Sequence, residues 1–244
     1  RMPPSARPDL TRGSTKKPTM RADVVAVIPA YNCAATIGAV ASGVRRHLAR
    51  VVVVDDGSAD ATAAEATAAG AEVSRLPANR GKGEALLHGI ALALEGDPAA
   101  VLLLDGDGQH DPADIPAFLA AWDAGRGDLL IGSRMGDAGA IPRARYWTNR
   151  IGSQILSWMT GWQIEDSQSG YRLLAADLLR RLPMASRGYA VESEMLIKAA
   201  HRRARLAQVP IRVIYEGNPS HYRPVLDTVR ISLWSIYFKA FDEA

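Results

Sequence analysis

The residues with the clearest capacity for chemistry are Asp105-Gly106-Asp107-Gly108-Gln109-His110. Two carboxylates stand two positions apart, and an amide oxygen follows them. Carboxylate oxygens, an amide oxygen and water form the hard donor set that Mg²⁺ or Mn²⁺ prefers, and such an ion commonly grips a diphosphate. The preceding run, Ala99-Ala100-Val101-Leu102-Leu103-Leu104, is wholly apolar, the pattern of a strand covered on both faces of a parallel sheet. Open α/β sheets bind ligands at the carboxyl ends of such strands. The competing reading is a solvated loop rich in Asp and Gly, and a D-x-D alone does not choose between them.

A second strand end adds weight to the first. Val51-Val52-Val53-Val54 is β-branched and runs into Asp55-Asp56-Gly57-Ser58. Two parallel strands that both finish in carboxylates suggest one crevice holding a nucleotide. Here the alternative is capping, with Ser58 or Asp60 opening a helix over 61–70. The two roles are compatible if one residue caps while Asp55 or Asp56 faces the crevice.

Positioning these groups requires an alternating chain, and alternation is what the sequence predicts. Strands are expected at 24–28, 51–54, 71–75, 101–104 and 128–131, and helices at 34–49, 61–69, 83–94 and 112–124. Strand and helix in turn mean βαβ units and a mostly parallel central sheet flanked by helices. After residue 132 the alternation weakens. A long helix over 146–161 is expected, then short strands at 168–174 and 211–215 around a helix over 192–202. That half is where an acceptor site belongs. Glu192 and Glu194 are candidate bases within it, as is Asp166, although carboxylates also suit the start of a helix without any chemical role. Arg134, Arg145, Arg172 and Arg223 supply guanidinium groups suited to phosphate, against the ordinary reading of arginine as a surface residue. The turn after the first strand reads Ile28-Pro29-Ala30-Tyr31-Asn32-Cys33. It lacks the glycines of a dinucleotide-binding turn, and no P-loop follows elsewhere. Phosphates must then be held by other means, which returns attention to Asp105 and Asp107. Lys82, in a Gly-rich turn before a helix, offers a further cation or is a solvated loop lysine.

Composition bounds the rest. The 244 residues suffice for one domain with a sizeable core. The single cysteine, Cys33, excludes an internal disulfide framework and fits a reducing, cytoplasmic setting. The net charge of +3 arises in residues 1–21, where Arg1, Arg7, Arg12, Lys16, Lys17 and Arg21 face only Asp9. That stretch is rich in Pro, Ser and Thr and reads as a disordered basic leader. The remainder is slightly acidic, so nucleic acid is not an expected partner. No apolar run reaches the ~18 residues of a membrane span. Residues 225–244 predict an amphipathic helix with three possible destinations: a membrane interface, the domain itself, or a second copy in a homo-oligomer.

Taken in order, Pro29-Ala30-Tyr31-Asn32, Asp55-Asp56-Gly57-Ser58, Asn79-Arg80-Gly81-Lys82-Gly83, Asp105 to His110 and Gly132-Ser133-Arg134 make the chain resemble family-2 glycosyltransferases of the GT-A fold. Asp166-Ser167-Gln168-Ser169-Gly170-Tyr171-Arg172 extends the likeness to the dolichyl- or polyprenyl-phosphate sugar synthases. The resemblance covers residues 22–224. It implies an inverting, Mg²⁺- or Mn²⁺-dependent transferase, acting on a UDP- or GDP-sugar and a polyprenyl phosphate at the inner membrane surface. Pro29, Ala30 and Tyr31 would line the nucleotide pocket with Asp55, Lys82, Asp105 and Gly106, and Asp56 would bind base or ribose. Asp107 and Gln109 would hold the metal, with Asp105. Asp107, Glu194 and Asp166 are the residues assigned to catalysis, Glu194 being preferred to Glu192 as base. Arg134, Arg172, His221 and Arg223 would meet the acceptor phosphate. Two departures from the family pattern stand out. Cys33 occupies a position that is often Glu, and 215–224 replaces a G-x-S-K loop. A soluble glycan hydroxyl as acceptor preserves the same donor chemistry. Remoter alternatives are a non-catalytic nucleotide-sugar-binding module, against which the intact Asp105, Asp107 and Gln109 argue, and a nucleotidyltransferase, which would release pyrophosphate.

Overall fold

The computed structural model describes residues 20–184 and 190–214. His221, Arg223, the predicted 225–244 helix and all but the end of the basic leader lie outside the described residues. Strand β1 (Arg21–Ala30), helix α1 (Ala34–Arg45), β2 (Leu48–Asp55), α2 (Thr62–Ala68), β3 (Glu72–Arg75), α3 (Lys82–Leu94), β4 (Ala100–Leu103), α4 (Ile115–Asp123) and β5 (Leu129–Ser133) follow the expected alternation. Then come α5 (Arg143–Thr160), β6 (Arg172–Ala175), α6 (Ala176–Arg180), α7 (Ala190–His201) and β7 (Leu206–Pro210).

The sheet order is β3-β2-β1-β4-β6-β5-β7. All neighbours pair in parallel except at β6, which runs antiparallel to both β4 and β5. Periodicity cannot foresee this reversal, because an apolar strand reads alike in both directions. Its result is that β6 begins where β4 ends, with Arg172 paired to Leu103. The loop before β6 is thereby delivered to the crevice at the carboxyl edge of the sheet. The last strand lies at 206–210 rather than the expected 211–215. Gln208 in its middle weakens the apolar signal while its amide binds the backbone of Gln163 and Glu165.

Successive strand residues point to opposite faces, so the sheet separates two cores. Val25, Val27, Val52, Val54, Val101 and Leu103 pack against α3, α5, α6 and α7. Val24, Ala26, Ile28, Val51, Val53 and Leu102 pack against α1 and α4 on the other side. At Gly89 a Cβ would lie 2.5 Å from Val27, so α3 can sit close to β1 only without a side chain there. This brings the first residue of α3, Lys82, over the end of β4.

Candidate functional site

At the carboxyl edge of β1, β2 and β4, Lys82 places its ammonium 2.7 Å from Asp105 Oδ1 and 2.8 Å from Glu192 Oε1. Three elements meet in this bridge: the start of α3, the end of β4 and the start of α7. Pro29, Gly170, Arg172 and Met195 complete the wall of the small cavity beside it. Burial alone would lower the Lys82 pKa, but Asp105 and Glu192 outweigh it and hold the group protonated above the ordinary lysine range. Burial would likewise raise Asp105, and Lys82 keeps it below the usual carboxylate range. Gly170 is required by this geometry, since a Cβ there would stand 2.8 Å from Asp105 Oδ2.

Asp107 lies in the turn after β4 and accepts the Gln109 N–H at 2.9 Å. Burial and the neighbouring Asp105 charge both raise its pKa. Among the described residues no three His, Cys, Asp or Glu side chains converge as a complete metal cage. Asp105 and Asp107 nevertheless repel each other, a repulsion that a dication would relieve; Gln109 in the same turn is a further hard donor by type, and ligand phosphates can complete such a set. The residues therefore fit Mg²⁺ or Mn²⁺. His110 is buried and neutral, its pKa lowered by burial. It accepts the Asp105 N–H and stacks on Tyr171 with ring centroids 5.1 Å apart. Gly106 serves packing, because a Cβ would meet Cys33 and Ile37 at 3.2 Å, and its carbonyl accepts from Thr36.

The paired acids after β2 divide the work otherwise than expected. Asp56 accepts the N–H groups of Arg80 at 2.7 Å and Gly81 at 2.8 Å. Both its oxygens thus help to shape the loop that presents Lys82. Asp55 accepts the Ser58 N–H through Oδ1. Its Oδ2 lies 3.3 Å from Arg75 Nε without hydrogen-bond alignment, and is the buried side-chain oxygen left without a hydrogen bond among the described residues. Asp60, not Ser58, takes the N–H of Thr62, while Ser58 Oγ accepts the N–H of Asn32. Ala30 is buried in β1, and Tyr31 just beyond it is partly exposed.

In the acceptor half, Asp166, Glu194 and Arg172 all have partners within the protein. Asp166 is wholly buried. It accepts from Arg134 Nε at 2.7 Å, Arg134 Nη2 at 2.8 Å, the Arg134 backbone N–H at 3.1 Å and Asn149 Nδ2 at 2.8 Å. Burial opposes the charge, yet Arg134 keeps the Asp166 pKa below its ordinary value. A carboxylate so saturated holds Arg134 and is not poised to take a proton. Glu194 is buried beside Lys198, 2.8 Å away, whereas Glu192 is the glutamate in the crevice. Arg172 is wholly buried and donates to the carbonyls of Ser169, Glu192 and Ser167. It fastens α7 to the 166–170 loop. Arg134, just past the end of β5, turns its guanidinium to Asp166. Asn149, a polar residue on the inward side of α5, escaped the sequence reading; its signal is an amide placed among residues that pack inward.

A sheet of this order with carboxylates at its switch point, joined to a second half that frames the same crevice, is the architecture of GT-A glycosyltransferases. The family model described as Glycosyl transferase family 2 matches residues 25–182. The chain belongs to glycosyltransferase family 2. It is 31% identical over 206 residues to an undecaprenyl-phosphate mannosyltransferase of Micrococcus luteus, covering 78% of this chain and 83% of that one. It is 27% identical over 213 residues to a UDP-N-acetylglucosamine–dolichyl-phosphate N-acetylglucosaminyltransferase of Methanococcus voltae, covering 78% and 84%. Among solved structures it is similar to glucosyl-3-phosphoglycerate synthase from Mycobacterium tuberculosis in complex with Mn²⁺, UDP and phosphoglyceric acid. The TM-score is 0.69 at 25% identity, covering 88% of this chain and 76% of that one.

Proposed function

We propose that this glycosyltransferase moves a hexosyl or N-acetylhexosaminyl group, with inversion and in a divalent-cation-dependent manner, from a UDP- or GDP-sugar to a polyprenyl phosphate. The observation that carries this reading is the state of the carboxylates. Asp166 and Glu194 are buried in ion pairs, and Glu192 is held by Lys82. A hydroxyl acceptor needs a base within reach, whereas a phosphate oxygen is already anionic and needs none. The undecaprenyl-phosphate and dolichyl-phosphate relatives support the acceptor. The UDP in the relative's name and in the similar solved structure supports a UDP-sugar as donor.

In this reading the acceptor phosphate oxygen forms a bond to C1 as the C1–O bond to the diphosphate breaks, through a transition state of oxocarbenium character. Pro29, Tyr31 and Asp55 bind the nucleoside. Lys82, already charged, lies where the departing diphosphate gathers charge, and a fixed cation there is worth most in a water-poor site. Arg134, oriented by Asp166, meets the acceptor phosphate, with His221 and Arg223 as further cations. Asp107, Gln109 and Asp105 would hold the metal, which supplies Lewis-acid stabilisation of the diphosphate.

The test is nucleoside diphosphate release from a panel of UDP- and GDP-sugars, with and without Mn²⁺ and a short polyprenyl phosphate. Release that requires the lipid phosphate supports the assignment; equal release without it removes the acceptor. The likeness to a synthase solved with phosphoglyceric acid favours a second reading, the same donor chemistry onto a soluble hydroxyl. In that case Glu192 must leave Lys82 and act as base, and Glu192→Gln costs roughly 10²–10⁴-fold in rate with donor affinity retained.

A further inference from the structure

Helix α5 buries its polar side and turns its largest apolar side chains outward. Asn149, Gly152 and Ser153 face inward with Leu156 and Met159. Trp147 is 61% exposed, Ile151 52% and Trp158 73%. Their spacing of four and then seven residues places them along one stripe. An ordinary surface helix has the opposite arrangement. Arg143 and Arg150 are exposed on the same helix, which contains no Asp or Glu along its length. Tryptophan at the water boundary beside arginine and without acids is the set used by helices that lie on anionic bilayers.

We propose that the outward face of α5 seats this protein on an anionic lipid bilayer. Trp147, Ile151 and Trp158 enter the headgroup boundary, while Arg143 and Arg150 pair with lipid phosphates. Charge selects lipid over a second copy of this chain, since a facing α5 would set arginine against arginine with no acid of its own to answer them. Continuity with the crevice points the same way. The inward side of this helix supplies Asn149 to the Asp166–Arg134 pair, so the seated face and the acceptor side are separated by one helix, about 10 Å thick. Only the consequence for the acceptor rests on the polyprenyl-phosphate reading; the seating does not.

The test uses the full chain with vesicles of phosphatidylcholine, with and without phosphatidylglycerol. Sedimentation reads binding, and quenching of tryptophan fluorescence by brominated acyl chains reads insertion, which the basic residues near the N-terminus cannot produce alone. The wild type is expected to bind the anionic vesicles and to be quenched. The variant Trp147→Ser/Ile151→Ser/Trp158→Ser is expected to lose binding by roughly tenfold or more together with the quenching. Arg143→Gln/Arg150→Gln is expected to lose the preference for anionic lipid. Both variants should keep the wild-type circular dichroism, UDP affinity and transfer to a short-chain acceptor in detergent. A wild type that ignores the vesicles, or a triple variant that binds as well as the wild type, overturns the proposal. So does a triple variant that melts markedly lower or changes oligomeric state, which assigns the face to residues 215–244 or to a second copy. Vesicle binding without any transfer in detergent would instead leave the seating intact and remove the lipid acceptor.

Discussion

Lys82 sits between two carboxylates contributed by different parts of the chain, and under the proposed function its replacement removes charge beside the leaving diphosphate. Lys82→Met is expected to lower the transfer rate roughly 10²–10³-fold, measured at saturating donor; a rate within a few-fold of wild type would make the bridge merely structural. Gly170→Ala tests the same point by position. The new methyl meets only the tip of the Asp105 side chain, which can move, so the melting temperature should hold while Mn²⁺-dependent UDP affinity falls. A variant that unfolds, or that binds normally, contradicts the close approach. At this scale the sequence was informative about which residue types gather and less so about which member of a pair faces the ligand. Glu192 and Glu194 are two positions apart on a helix, so they point in widely different directions, and only the packing of α7 selects Glu192. Asp55 and Asp56 pose the same problem at a strand end. There the selection depends on two loop N–H groups that no side-chain pattern reveals.

The elements hold the site through backbone as much as through side chains. The loop ahead of α3 is pinned by Asp56, and Gly81 within it has φ 93° and ψ 154°, a region essentially confined to glycine. No atom lies within 4 Å of where its Cβ would be, so Gly81→Ala isolates backbone strain. It should destabilise the loop by about 1–3 kcal/mol and reduce transfer by displacing Lys82. Calorimetry and kinetics identical to wild type would show that the loop need not keep this shape. The Arg134–Asp166 pair ties the end of β5 to the loop before β6 and, through Asn149, to α5. Because the folded Asp166 pKa is depressed, the pair stabilises the protein above the ordinary carboxylate range, near pH 4, and that contribution fades as pH falls through the lower folded value. In Arg134→Met the same carboxyl is buried without its cation, and its pKa moves the other way. The variant should lose about 3–5 kcal/mol at pH 7, and a smaller amount as the pH approaches 4 and Asp166 takes up a proton. A deficit independent of pH in thermal melts would contradict this. The strand–helix alternation of the first half was legible because buried parallel strands are continuous apolar runs. Direction was not, which is why β6 reads as one more strand and is in fact the reversal on which the acceptor half depends.

For the whole molecule, the doubly covered sheet is a rigid support with its charges collected along one edge. Asp105 and Glu192 share the Lys82 ammonium there, the Asp105 charge raises the Asp107 pKa, and burial lowers that of His110, so carboxylates crowd the mouth. The proposed function then predicts an order of addition. A diphosphate approaching alone meets like charge, whereas one accompanied by a dication arrives with much of its own charge cancelled. UDP should therefore bind weakly in EDTA and markedly more tightly with Mn²⁺, while uridine, which carries no phosphate, should be indifferent to the ion. Titration calorimetry of both ligands in both conditions separates the effects, and equal UDP affinity with and without Mn²⁺ would rule out the ordering. On that expectation, charge at one edge of the sheet acts as a sorting rule, favouring the charged donor as an ion-paired complex and leaving the uncharged nucleoside to be recognised by shape and hydrogen bonding alone.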